Sequence, residues 1–224
     1  MSVISDPNTF ESNILIKITK KKYAADIQAG KLYMNKLGYF RKLEQDGVGD
    51  DQEGLMGAAQ NGKMIWNGEV VAEILDIKTY LDFPVFCALS VPLTKVGDNK
   101  YEFVIPKKLL KEFMYDKSAE YVLIAIDKSE FIKRIDKALS DQELCGRSGN
   151  VSYTDEISFF PKKDIDKMIL RKRTKFAYQY EWRVFVECHV DDHFELNIGD
   201  ITDISKQVPI QDSDQEVKFE VFGA

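Results

Sequence analysis

Asn67-Gly68 stands between two strand-like runs, Lys63-Met64-Ile65-Trp66 and Glu69-Val70-Val71-Ala72-Glu73-Ile74. A two-residue hairpin turn needs positive φ at its central positions, which Asn and Gly tolerate better than other residues. This stretch therefore commits part of the chain to antiparallel pairing. A second constraint is Tyr121-Val122-Leu123-Ile124-Ala125-Ile126, an unbroken apolar run that reads as a buried core strand. It leads directly into Asp127 with Glu130 three residues later, a capping box. The box opens a helix to about Leu139, with Phe131, Ile132, Ile135 and Leu139 on one face.

The other elements follow in mixed order. Ile14 to Ile18 reads as a strand, Thr19 as a helix cap, and Lys20 to Ala29 as a helix stopped at Gly30. Lys31 to Met34 is a strand and Leu37 to Glu44 a helical turn, while Gln45 to Gly62, rich in Gly, Asp and Gln, is a loop. Phe83 to Val91 is a strand, and Pro106 precedes a helix over Lys107 to Met114. Gly146 to Tyr153 and Ile157 to Phe160 read as short strands, and Asp164 to Leu170 as a helix. Tyr180 to Val190 is the longest strand, followed by Phe194 to Ile198 and Glu216 to Phe222. No repeat occurs, and helices and strands do not alternate regularly. The expected fold is one α+β domain over residues 1–224 behind a polar leader at 1–12, with a mixed or antiparallel sheet and peripheral helices.

Composition narrows function. A net charge of −6 argues against a generic nucleic-acid binder, which needs cations to displace counterions from phosphates. The basic clusters at Lys20-Lys21-Lys22, Lys107-Lys108-Lys111 and Arg171-Lys172-Arg173 with Lys175 read as solvated faces and helix ends. Cys87, Cys145 and Cys188 form no Cys-x-x-Cys pair, so neither a disulfide framework nor a zinc site is expected, and a reducing cytoplasm suits them. Nowhere do 18 consecutive apolar residues occur, so no membrane span or membrane partner is expected. His189 and His193 straddle a predicted strand and turn rather than one helix face, which gives no metal pair. Nucleophile-elbow, phosphate-loop and dinucleotide-fingerprint motifs are absent from the sequence.

Tyr178-Gln179-Tyr180-Glu181-Trp182-Arg183 is the stretch richest in chemistry. Read as a strand, it sets Gln179, Glu181 and Arg183 on one face and Tyr178, Tyr180 and Trp182 on the other. Glu181 and Arg183 then form either a structural ion pair or a cleft carboxylate held by its neighbours. Asp50, Asp51 and Glu53 lie in the Gly-rich loop, either as a surface connection or as a site loop, with magnesium-dependent nuclease chemistry as an alternative.

Several blocks in order, Lys31-Leu32-Tyr33-Met34-Asn35, Leu37-Gly38-Tyr39-Phe40, Asp50-Asp51-Gln52-Glu53-Gly54, Val85-Phe86-Cys87 and Tyr178 to Arg183, resemble a family of uncharacterised bacterial and phage proteins with a Glu-Trp-Arg strand. That layout is similar in turn to the ADP-ribosyltransferase fold, which implies a split-sheet cleft for NAD. The resemblance implies catalytic roles for Glu181, stabilising an oxocarbenium-like transition state, with Gln179 orienting the acceptor and Arg183 beside them. It implies NAD contacts from Tyr33, Lys17 and Ser90, where the usual first-strand His or Arg has no counterpart, and a nicotinamide stack on Tyr33 or Trp182. The alternative on the same fold is a non-catalytic, phage-encoded protein that engages a host protein or a small nucleotide signal through its acidic loop and aromatic residues.

Overall fold

The computed structural model describes residues 9–43, 49–156, 165–210 and 216–222. In chain order the elements are β1 (Thr9–Phe10), β2 (Ile14–Lys20), α1 (Lys21–Gln28), β3 (Lys31–Lys36), α2 (Leu37–Lys42), β4 (Leu55–Trp66), β5 (Glu69–Tyr80) and β6 (Pro84–Leu89). Then come β7 (Leu93–Gly97), β8 (Lys100–Ile105), α3 (Lys107–Phe113), β9 (Tyr121–Asp127), α4 (Lys128–Asp141), β10 (Gly146–Asn150) and β11 (Ser152–Tyr153). The chain ends with α5 (Ile165–Ile169), β12 (Arg171–Lys172), a 3-10 helix (Thr174–Gln179), β13 (Glu181–Val186), β14 (His193–Asn197), β15 (Ser205–Ile210) and β16 (Val217–Phe222). Among the described residues every strand pairing is antiparallel except that of β11 with β12, so the α+β class with a mainly antiparallel sheet holds.

The main sheet runs β10-β13-β6-β2-β9-β15, and it forks at β6. One side of β6 pairs with β13 from Phe185↔Val85 to Glu181↔Leu89. Its other side is shared: β2 meets the end of β6 at Ile16↔Leu89, while β3 meets its start at Asn35↔Val85 and Lys36↔Pro84. β2 and β3 therefore diverge from a common strand, and β14 extends the β3 branch. The fork is the feature that positions the site.

Both faces of the sheet are buried. On one, Leu15, Phe86, Trp182, Val184 and Val186 pack against Phe131 and Ile135 of α4 and Ala24 and Ile27 of α1. On the other, Ile16, Ile18 and Leu89 meet Leu109 and Leu110 of α3 and Phe103 and Ile105 of β8. The second sheet, β1-β7-β8-β16, covers that face. The capping box holds as expected, with the Asp127 side chain accepting from the Glu130 amide at the start of α4. At the far end of α1, Gly30 adopts φ 83°, and a Cβ there would fall 1.8 Å from the Gly199 carbonyl oxygen. Only glycine permits that turn and that approach.

Several expectations are corrected. The Asn67-Gly68 turn is present with φ 49° and 85°, but its strands run to Leu55 and Tyr80, so Leu55 to Gly62 is strand and not loop. Cross-strand pairing overrode the Gly-rich composition. Thr19 does not cap α1; it lies in β2, whose ladder with β9 continues to Lys20. The leader contributes β1, which pairs with β7, and Ser12 is buried with its hydroxyl accepting from the Ile14 amide. Tyr178 to Arg183 is not one strand: Gln179 closes a 3-10 helix, Tyr180 is left-handed at φ 45°, and β13 starts only at Glu181 and stops at Val186. β7, β8 and β15 were not expected. The strand expected over Ile157 to Phe160 lies outside the described residues. No helix among the described residues is long and apolar enough to cross a membrane.

Candidate functional site

Two features compete for the role of site, a buried charge network around Glu181 and an open cleft in the fork of the sheet.

The network is assembled from three distant segments. β13 alternates Glu181, Arg183 and Phe185 against Trp182, Val184 and Val186, so Glu181 and Arg183 share a face as the sequence implied. Arg183 Nε donates to Glu181 Oε1 at 2.6 Å, its Nη2 to Glu53 Oε2 at 2.9 Å and its Nη1 to the Ile169 carbonyl at 2.8 Å. Lys172 Nζ donates to the other Glu181 oxygen at 3.1 Å and to Gln179 Oε1 at 2.7 Å, and stands 3.2 Å from Glu53 Oε1. The Tyr153 hydroxyl accepts from the Glu181 amide. Two carboxylates thus meet two cations, all buried, and the cluster is formally neutral. Burial opposes ionisation of Glu181, yet the charges of Arg183 and Lys172 outweigh it and hold the carboxyl well below its ordinary range. Burial alone would drive Lys172 and Arg183 toward their neutral forms, and the two carboxylates reverse that for both.

The acidic loop is likewise consumed by internal partners. Asp50 is fully buried and accepts from the Arg173 amide at 2.8 Å and Arg173 Nε at 2.7 Å. Asp51 meets Arg173 Nη2 at 2.8 Å. The basic run at Arg171 to Arg173, expected on a solvated face, is instead the counter-charge to this loop, with Arg171 and Lys172 both buried. Each carboxylate of the proposed magnesium set already has a cationic partner, and among the described residues no cluster suited to a metal occurs.

Beside Glu181 lies a cavity of about 40 Å³, lined by Ile16, Lys17, Phe40, Cys87, Lys172 and Gln179 among others. That volume is enough for ordered water. Burial pushes the Cys87 thiol up, with the Glu181 charge adding to it, which favours the protonated sulfur.

The fork opens a cleft of about 670 Å³, within the range of small-molecule sites. β2 supplies Lys17, Thr19 and Lys20, β3 supplies Lys31, Tyr33 and Asn35, and Phe86 of β6 lies between them. Tyr23 and Asp26 of α1, Tyr39, Tyr115 and the carboxylates Asp192 and Glu195 line it as well. Tyr33 is half exposed and stacks on His193 at 4.4 Å. Lys31 is paired with Asp26 at 3.1 Å and Lys20 with Asp116 at 2.7 Å; that bond to Lys20 lowers Asp116 to about 2. Lys17 differs: its ammonium donates to the Cys87 carbonyl at 2.6 Å and lies 4.5 Å from the Phe86 ring centre. Among the described residues no carboxylate forms an ion pair with it. Burial lowers its pKa, partly offset by the Glu181 charge. It also borders the small cavity, so it is the partition between the two spaces.

The residues singled out from the sequence are therefore divided. Tyr33 and Lys17 meet in the cleft, whereas Glu181, Gln179 and Arg183 lie in the network behind Lys17. Ser90 belongs to neither; its amide donates to the Tyr180 carbonyl and its hydroxyl is 3.4 Å from Lys128 Nζ. Trp182, a stacking candidate, is a core residue 6.1 Å from the Phe131 ring. Sequence reasoning missed Tyr23, Tyr115 and Lys20 for the cleft, and Lys172 for the network. Lys172 carried a signal, since three basic residues in a row mirror the three carboxylates at 50, 51 and 53. Comparison of the chain with protein-family profiles, curated proteins and solved structures found no match.

Proposed function

We propose that the protein is a non-catalytic binder of a small aromatic anion of the nucleotide class, held in the fork between β2 and β3. The observation that carries this reading is Lys17, a cation without an ion-pair partner among the described residues, set in a cleft with Phe86 beside it and tyrosines around it. A buried ammonium is stabilised by an incoming anion, and aromatic faces offer stacking surface for a base or nicotinamide ring. NAD fits this description through Lys17 and Tyr33 and is the first ligand to test.

The geometry favours binding over ADP-ribosyl transfer. Both oxygens of Glu181 are engaged by Arg183 and Lys172. A carboxylate that stabilises a developing cation must face it, and Glu181 faces cations already in place. The alternative class of partner, a host protein engaged through the acidic loop, has less support because Asp50 and Glu53 are buried in ion pairs.

Titration calorimetry with NAD, ATP and a cyclic dinucleotide tests the proposal. At least one ligand is expected to bind, and Lys17→Met and Tyr33→Ala each weaken it by about tenfold or more, the scale of one lost charge-assisted or stacking contact. Folded Glu181→Gln is expected to bind nearly as the parent does. Absence of binding by all three ligands, or a Lys17→Met variant that binds unchanged, overturns it. Consumption of NAD that disappears in Glu181→Gln returns the transferase reading.

A further inference from the structure

Strand alternation decides which side chains of β14 reach the cleft. Leu196 is buried in the core with Leu32 and Met34 of β3, and Phe194 packs against the same cluster. Side chains directly opposite in an antiparallel pair share a face, so Glu195, opposite Tyr33, lies with it on the other face, where both line the cleft. β14 is the outer strand of the β3 branch, whereas Lys17 belongs to β2, the other branch of the fork. Across the strands, Tyr33 therefore stands between Glu195 and Lys17.

The charged groups lining the cleft are three lysines, Lys17, Lys20 and Lys31, and three carboxylates, Asp26, Asp192 and Glu195. Lys20 is paired with Asp116 and Lys31 with Asp26, and Asp192 is 3.2 Å from His193 Nδ1. Lys31 feels the Glu195 charge but keeps its hydrogen bond to Asp26. Two groups remain. Lys17 has no carboxylate partner among the described residues, and the Glu195 side chain has neither an ion pair nor a hydrogen bond among them.

An ionised carboxylate accepts hydrogen bonds and donates none, so a ligand whose anionic end meets Lys17 must bring N–H or O–H donors to Glu195. In a nucleotide the ribose joins the ring to the phosphate and carries two adjacent hydroxyls away from that phosphate. Two hydroxyls match two carboxylate oxygens, and acidic side chains hold ribose hydroxyls in this way in dinucleotide-binding folds. The register sets the carboxylate beside Tyr33, the stacking surface for the ring.

We infer that Glu195 accepts hydrogen bonds from the vicinal hydroxyls of a ribose, which makes the cleft selective for ribonucleotides whose diol is free. The inference rests on the reading of the cleft as a nucleotide site and adds the residue that selects the sugar. A cyclic dinucleotide, with one hydroxyl of each ribose esterified, is then a poorer ligand than ATP or NAD.

Titration calorimetry of the full chain with ATP and NAD, each compared with its 2′,3′-dideoxy form, tests this on the parent, Glu195→Gln and Lys17→Met. The parent is expected to bind the diol form about tenfold or more tightly than the dideoxy form, the scale of hydrogen bonds to a charged group. Glu195→Gln is expected to lose that preference, weakening the diol form by a similar factor and leaving the dideoxy form unchanged or tighter. Glu195 is exposed and Gln keeps its shape, so the variant should fold, which circular dichroism checks. The comparison of ligands on the parent needs no variant. A parent that binds both forms equally, or a Glu195→Gln variant that weakens both alike, overturns the inference, while loss of binding in Lys17→Met would leave the nucleotide reading standing. Binding of a cyclic dinucleotide but of neither ATP nor NAD has the same meaning. Absence of binding by all of them overturns both.

Discussion

Replacing Arg183 by methionine removes the cation that joins the two carboxylates of the buried network. The guanidinium serves three acceptors, Glu181, Glu53 and the Ile169 carbonyl, at 2.6, 2.9 and 2.8 Å. Each buried acceptor left without its donor costs roughly 1 kcal/mol or more, so the three together suggest at least about 3 kcal/mol. An independent route gives the same scale: stripping one partner from a buried ion pair costs about 3–5 kcal/mol, because the remaining charge keeps its desolvation penalty. The substitution also leaves two carboxylates with Lys172 alone, a net buried negative charge. Against a typical domain stability of roughly 5–15 kcal/mol, a loss of about 3–5 kcal/mol is readily measured by urea unfolding with linear extrapolation. The charge balance supplies a sharper test. Arg183→Met with Glu181→Gln restores one carboxylate to one cation, so the double variant is expected to recover about 1–2 kcal/mol relative to Arg183→Met. A loss below about 1 kcal/mol, or a double variant no better than the sum of the single ones, refutes the view that these four groups act as one neutral unit.

The network also sets an acid limit. Because the folded-state pKa of Glu181 is depressed, its contribution is fully present above the unfolded value near ~4.3 and is lost as pH falls from there toward the folded value; Glu181→Gln is expected to flatten this limb in urea titrations between about pH 5 and 3. Asp127→Ala removes the acceptor for the Glu130 amide and should cost about 1 kcal/mol in the same assay. Gly30→Ala forces a side chain onto the Gly199 carbonyl at a positive-φ position, and a destabilisation above about 2 kcal/mol is expected. Since burial lowers the Lys17 pKa, affinity for an anionic ligand should decline as pH rises into a range where an ordinary lysine is still charged, which calorimetry across alkaline buffers would show.

What could be read in advance follows the range of the interactions. The Asn67-Gly68 turn, the buried run at Tyr121 to Ile126 and the Asp127 cap are written within a few residues, and all three are present. The hairpin of β7 and β8 is also written locally, in Gly97-Asp98-Asn99 with Asn99 at φ 52°, but its flanks carry charges and β7 is mostly exposed, which blurs the alternation that marks a strand. β15 contains Pro209, which is compatible with its place at the sheet edge and obscured it as a strand. Tyr180 is a different case. A left-handed tyrosine is uncommon, and nothing in its neighbours announces the conformation that ends the 3-10 helix and starts β13.

The site shows the same division at longer range, and it bears on which residues deserve a functional reading at all. Glu181, Arg183 and the acidic loop drew attention because charged residues in an apolar or Gly-rich context are unusual in sequence. Their partners lie far along the chain, with Glu53 130 residues from Arg183 and Asp50 123 from Arg173, and no spacing rule reports such pairs. Once paired, the unusual residues balance one another's charge inside the fold. Lys17, a candidate through the resemblance alone, is one lysine in an Ile-rich strand, and nothing local to it reports an inward side chain. The fork at β6 leaves a stretch of its edge without a neighbouring strand, and the Cys87 carbonyl there takes its hydrogen bond from Lys17 instead. The side chain is thus drawn inward by backbone left unsatisfied at the split, which accounts for a cation standing in an aromatic cleft without a carboxylate partner among the described residues. Lys17→Met should then disturb the strand edge as well as the ligand, and Lys17→Arg, which can still donate to that carbonyl, is expected to keep more stability than Lys17→Met in urea unfolding. Equal stability of the two variants would mean that the hydrogen bond at the split is dispensable and that another cause places the cation there.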